Sequence, residues 1–133
     1  MSRRRDLVAT DLARKIWRQV GYCEHCMKDG SVVQLQGAHI YGVGAYPRLR
    51  DDLRNGMSLC SHCHRDFTDN PRKFSEWLKD TKYEKYMTPL AKKNMTFTKR
   101  FWDERIKELR SILKEIESGE ITVDDAREME DNH

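Results

Sequence analysis

Seven residues of this chain have types and spacing suited to chemistry: Cys23, Cys26, Cys60, Cys63, His39, Asn55 and His64. The cysteines form two C-x-x-C pairs, CEHC at 23–26 and CSHC at 60–63, with 33 residues between them. A C-x-x-C turn points two thiolates at one ion. Two such turns close a tetrahedral four-sulfur site with no position left for a substrate, which is the signature of structural zinc. The competing reading, a redox dithiol, needs one pair beside a βαβ unit, and two pairs without such a unit argue against it. The cysteines are therefore read as a frame, not as catalysts. His25 and His62 lie inside the two pairs. With four thiols available they read as exposed spacers.

The frame matters for what it brings together. His39 lies just past a strand expected to end at Gln36, His64 directly follows the fourth cysteine, and Asn55 stands five residues before Cys60. A strand-end histidine and a helix-start histidine, clamped by one zinc, can flank a single phosphate. Neutral imidazole accepts a proton near pH 7 and is also a common metal ligand.

The succession C-x-x-C, then AHI (38–40), then N-x-x-x-L-C-x-x-C-H (55–64) resembles the HNH (His–Asn–His) endonucleases, also called ββα-metal nucleases, and in particular their zinc-stapled phage-type members. The likeness runs from about Ile16 to Leu78, and LCSHCHRDFTDNPRKFSEWL adds to it. The resemblance implies a metal-dependent DNA endonuclease that hydrolyses phosphodiester bonds and leaves a 5′ phosphate, working in phage or mobile-element DNA processing or recombination. It implies His39 as general base, His64 as ligand of a catalytic Mg²⁺ or Mn²⁺, and Asn55 as the residue that holds the loop and orients His39 through its amide. One departure stands out. Many members carry Asp or His directly before the base as a second metal ligand, and here that residue is Ala38. Gln36, Asp51, Asp52, Asp66 and Asp69 are the candidates to replace it. A non-catalytic zinc module that binds DNA or a protein is the alternative that Ala38 favours.

Charge points the same way. The net charge is +3, but the last fourteen residues hold six acids and one arginine, so the remainder carries about +8. That fits a polyanionic partner, DNA. Arg48, Arg50 and Arg54, between the two halves of the site, are expected to grip phosphates, with Arg3, Arg4 and Arg5 as a second basic arm. No apolar run is long enough to span a membrane and no leader is evident, so a reducing, cytoplasmic setting is the expectation.

The elements that must position these residues follow from periodicity. Val8, Leu12, Ile16 and Val20 predict a helix over about 6–20, stopped by Gly21. CEHCMKDG makes a turn, Ser31–Gln36 a strand, 37–56 a loop and Met57–Leu59 a second short strand. A helix from Ser61 ends before Asn70, which caps the next one with Pro71 at its first position and Phe74, Trp77 and Leu78 as its stripe. Trp102, Ile106, Leu109, Ile112, Leu113 and Ile116 predict a long helix over about 98–118. Its stripe either packs on the chain's own core or pairs two copies as a homodimer. Thr122 to Asp125 is placed to cap a last short helix. The expected fold class is α+β, mostly helical: a small zinc-stabilised ββα-metal core (about 16–78) with helices before and after it. Residues 1–119 are read as a single nuclease domain and 120–133 as an acidic C-terminal tail, with disorder expected beyond the last short helix. With 35% charged and 38% hydrophobic residues, the core is modest and gains from a metal staple.

Overall fold

The computed structural model describes residues 3–96 and 99–130. Among them, six helices surround a single two-stranded antiparallel sheet. Helix α1 (Arg5–Arg18) buries Ala9, Leu12, Ala13, Ile16 and Trp17 on one face. Lys15 and Arg18 sit in its last turn, where cations suit the helix dipole. Gly21 follows at φ +89°, and its N–H returns to the Arg18 carbonyl, so it ends the helix as expected.

Strands β1 (Leu35–His39) and β2 (Gly56–Cys60) pair with Gln36 opposite Leu59 and His39 opposite Gly56. The first strand was expected at Ser31–Gln36, but it begins later and runs through Gly37, Ala38 and His39. Gly37 reads as a loop residue, yet its role is close packing: a Cβ there would meet the Arg14 Cα at 2.6 Å. A bare backbone lets β1 press against α1. Two short 3₁₀ turns, Pro47–Leu49 and Leu53–Asn55, shape the connection between the strands.

Helix α2 (Ser61–Asp69) leaves β2 directly, and Cys60 caps it by accepting the Cys63 N–H. Helix α3 (Pro71–Leu78) starts with Pro71 at its first position. Asn70 precedes it, but its side chain does not cap. The amide donates back to the Asp66 carbonyl and carboxylate, each at 3.0 Å. Helix α4 (Glu84–Met95) was not anticipated, because Pro89 interrupts the pattern. Tyr86 and Leu90 bury in the zinc-side core beside Leu49, and tertiary packing outweighs the local penalty.

Helix α5 (Trp102–Glu117) lies along α1. Ile106, Leu109 and Ile112 close a core with Ala9, Leu12, Ala13, Ile16, Trp17 and Leu53. The stripe offered as a homodimer face is therefore consumed within the chain. The expected start of this helix at Thr98 lies outside the described residues. Helix α6 (Val123–Glu128) begins with a capping box between Thr122 and Asp125, as expected.

The acidic C-terminal segment packs on the fold through Glu130, two residues past α6. Arg127, fully buried, donates to the Gly56 carbonyl at 3.0 Å and to Asp124 at 2.8 Å, under the Tyr83 ring. Glu130 accepts from the Leu53 N–H at 3.0 Å and from Arg105 at 2.8 Å. The back of the hairpin is thus braced by the acidic segment. Residues 131–133 of that tail lie outside the described residues. No described helix is long and apolar enough to cross a membrane.

Candidate zinc centre and active site

The turn before β1 and the start of α2 bring Cys23, Cys26, Cys60 and Cys63 together, all four Sγ atoms within 4.8 Å of one another. A tetrahedral zinc with bonds of about 2.3 Å requires sulfurs about 3.8 Å apart, and Cys26 Sγ lies 3.9 Å from Cys60 Sγ. Backbone N–H groups point at the sulfurs: Cys26 N–H to Cys23 Sγ at 3.5 Å, Cys63 N–H to Cys60 Sγ at 3.4 Å. Such donors favour thiolates. Burial works against ionisation of Cys23, but the N–H groups of Cys60, Cys26 and His25 outweigh it and bring that thiol down to about 7. The donor set, spacing and burial fit one structural zinc.

His62 is exposed, as expected, but His25 is not a spacer. Its Nδ1 lies 3.3 Å from Cys63 Sγ, and its ring packs edge-on against Phe67 and Trp77 at 4.7 and 5.1 Å. It walls the metal site with aromatic carbon.

His39, at the end of β1, is held on two sides. Its Nε2 is 2.9 Å from the Arg50 carbonyl, and its ring meets Trp17 edge-on at 5.0 Å. A carbonyl only accepts, so Nε2 carries the proton and Nδ1 keeps its lone pair. Burial, followed by the positive charges of Arg14 and Arg50, depresses the imidazole to about 4, although the Arg50 carbonyl bond pulls the other way. The ring is neutral at physiological pH.

His64 sits on the first turn of α2, and its Nδ1 is 2.7 Å from Gln36 Oε1. Gln36 was a candidate metal ligand. Its oxygen instead accepts the Nδ1 proton, which leaves Nε2 of His64 free to ligate. A histidine ligand oriented by a hydrogen bond at its other nitrogen is the usual arrangement around metals. Burial and the charge of Arg14 lower this imidazole too.

Asn55 is fully buried. Its Oδ1 accepts from the Tyr41 N–H at 2.8 Å, and Nδ2 donates to the carbonyls of Tyr41 and Leu49 at 3.1 and 3.0 Å. It holds the loop, but its amide does not touch His39. The influence passes through the chain: Asn55 fixes the Leu49 carbonyl, and the next carbonyl, that of Arg50, fixes His39.

Ala38 is 1% exposed on β1, opposite Met57. The four acids proposed to replace a ligand there are engaged or remote. Asp51 pairs with Arg100 and with Arg105 at 2.8 Å. Asp52 takes Arg54 and Lys93, each at 2.7 Å. Asp66 pairs with Lys73, and Asp69 is exposed at the far end of α2. Among the described residues, the four cysteines are the one group of three or more ligand side chains close enough to share an ion.

The loop arginines differ from expectation. Arg54 is 5% exposed and forked onto Asp52 by bonds of 3.0 and 2.7 Å. Arg50 binds Thr10 at 2.8 Å and Asp6 at 3.2 Å across α1. Arg48 donates to the Asn94 carbonyl at 3.3 Å. The partners differ: a carboxylate capping its own turn for Arg54, a residue pair on α1 for Arg50, and a backbone carbonyl of α4 for Arg48. The N-terminal arm is likewise paired: Arg3 with Asp11, Arg4 with Asp6, and Arg5 with Asp103.

His39 and His64 line one cleft of about 260 Å³, whose other walls are Ala38, Ile40, Leu59, Phe67, Pro71 and Phe74. It brings the two histidines to one concave face. No curated protein and no solved structure gives a significant match to the chain. The family model described as HNH endonuclease matches residues 23–70, the stretch that carries the four cysteines, the hairpin, His39, Asn55 and His64.

Proposed function

We propose that the chain is a metal-dependent DNA endonuclease in which a zinc-stapled hairpin presents His39 as general base and His64 as ligand of a catalytic Mg²⁺ or Mn²⁺, serving phage or mobile-element DNA processing. The observation that carries this reading is the pair of complementary tautomers. Arg50 occupies Nε2 of His39, and Gln36 occupies Nδ1 of His64. Nδ1 of the first then takes the proton of an attacking water, and Nε2 of the second takes a metal. When bound, the divalent ion polarises the phosphate and stabilises the leaving 3′ oxygen. Asn55 acts as a positioning residue through the Leu49–Arg50 backbone. Residues 1–119 form the nuclease domain in this reading, with the acidic segment docked on it.

A second reading has a specific observation behind it: the buried methyl of Ala38, with no carboxylate in its place, favours a zinc module that binds DNA or a protein without cutting. One experiment separates the two. Supercoiled plasmid is incubated with Mg²⁺ or Mn²⁺ and the zinc-loaded wild type or His39→Ala. Nicking by the wild type, lost by on the order of 10²–10⁴ in the variant with zinc content unchanged, supports the nuclease. No cleavage by wild type with any divalent ion leaves the zinc module.

A further inference from the structure

With Arg50 and Arg54 turned into the fold, the DNA strand needs another cation at the candidate site. We propose that Arg14 binds a phosphate of the strand that lies across His39 and His64. This rests on the nuclease reading and adds a residue to it.

Gly37 places Arg14 there. It is the middle residue of β1, and its missing side chain lets the Arg14 backbone approach within 2.6–2.7 Å of where a Cβ would stand. Arg14 is thus tied to the strand whose end bears His39 and whose Gln36 holds His64. Its side chain remains 42% exposed. Among the described residues its ion-pair partner is Asp11, at 3.2 Å on the same helix, and Asp11 is shared with Arg3. Such a pair is weak and easily exchanged. The charge of Arg14 also bears on the His39 imidazole, after burial and the bond to the Arg50 carbonyl.

The chemistry matches a phosphate. A guanidinium stays ionised and presents parallel N–H donors to two oxygens of one phosphate.

The test uses the full zinc-loaded chain with Arg14→Gln and Arg14→Lys. Binding to a fluorescent duplex is followed by anisotropy over a salt series without added divalent ion. Cleavage of the same duplex is followed with Mn²⁺, and zinc content and Tm are measured alongside. For Arg14→Gln we expect about tenfold weaker binding, a slope of log K against log salt shallower by about one, and a fall in kcat/KM at least as large. Zinc and Tm stay at wild-type values. Arg14→Lys recovers most of the binding and less of the cleavage, because an ammonium is a point charge without the fork. If Tm falls in Arg14→Gln, Arg14→Met keeps the aliphatic stem against β1 and takes its place. Unchanged affinity and salt slope in the charge-removing variant overturn the proposal. A wild type that cuts nothing, with the binding loss still present in the variant, removes the nuclease reading and leaves the phosphate contact.

Discussion

Trp17 fills the space that a side chain on Gly56 would need: a Cβ at Gly56 would meet three indole carbons at 2.3 Å. The backbone of Gly56 is ordinary extended chain, φ −166° and ψ 170°, so glycine is required for room and not for conformation. The same indole donates to the Leu53 carbonyl at 2.9 Å and braces His39. One close approach thus fixes α1, the second 3₁₀ turn and the candidate base.

Gly56→Ala is expected to destabilise the zinc-loaded protein by overpacking, by about 1–3 kcal/mol or more, and to slow cleavage beyond the loss of folded protein, because His39 loses its brace. Urea denaturation and single-turnover cleavage of the folded fraction measure the two effects. Wild-type stability in this variant would contradict the packing described here.

The four thiolates should hold about one zinc per chain. Structural zinc supplies folding free energy directly, and here it joins the turn after α1 to the start of α2. Removing it with a strong chelator should collapse the near-UV circular dichroism of the aromatic group around Phe67, Phe74 and Trp77, and zinc should restore it. An intact near-UV spectrum in metal-free protein would sink the four-sulfur site.

Arg54 is expected to matter for stability before DNA. Its fork onto Asp52, itself 0% exposed, means that Arg54→Gln leaves a buried carboxylate with Lys93 as its remaining cation, beside the backbone N–H of residue 54. Breaking such a pair from one side costs about 3–5 kcal/mol. A variant that keeps its Tm but loses DNA affinity would return Arg54 to the phosphate-gripping role read from the sequence.

Acid should weaken the fold in two windows. Burial, Arg14 and Arg50 hold His39 down to about 4, while the unfolded chain takes up that proton near 6.5. The contribution of neutral His39 is therefore full above pH 6.5 and is lost as pH falls from 6.5 towards 4, by about 2–3 kcal/mol. Burial alone would raise Asp52, but Arg54 and Lys93 overcome it and bring the carboxyl to about 2. Its contribution persists above about 3.8 and is lost as pH falls towards 2. Denaturation of wild type and His39→Gln at each pH separates these windows from zinc loss, which both proteins share. The variant should be flatter between 6.5 and 4 and unchanged below. Equal slopes would show that His39 is protonated in the folded state.

Which of these features are legible in the sequence depends on how local their cause is. The cysteine pairs announce their shared ion because each turn is built from four consecutive residues, and the α5 stripe and the Thr122 cap are equally local. Strand β1 was misplaced because Gly37 and Gly56 look like loop residues, when each answers to a residue of α1 far away in sequence. The destinations of Arg50 and Arg54 depend on Asp6, Thr10 and Asp52 lying inside the fold, which no spacing reveals. Helix α4 hid behind Pro89. Arg14 is one cation among several on the polar face of α1, and only its position against Gly37 distinguishes it.

Ala38 offers the sharpest test of the candidate metal site. It lies on β1 directly before His39 and lines the same cleft as His39 and His64. Its methyl is 1% exposed, so a carboxylate there is buried, and without a cation it costs free energy. Ala38→Asp should therefore lower Tm in zinc-loaded protein without added Mg²⁺. If His64 Nε2 and the new carboxylate face a common ion, Mg²⁺ binds and returns stability as RT ln(1 + [Mg²⁺]/Kd), about 2.7 kcal/mol at a hundred times Kd. Wild type, without a carboxylate at position 38, should show a much smaller rise. His64→Ala in the Ala38→Asp background should abolish the Mg²⁺ response, and the cleavage rate at low Mg²⁺ should rise in Ala38→Asp alone. A Tm in Ala38→Asp that ignores Mg²⁺ would mean that His64 and position 38 do not face one ion, and the catalytic role of His64 would fall with it.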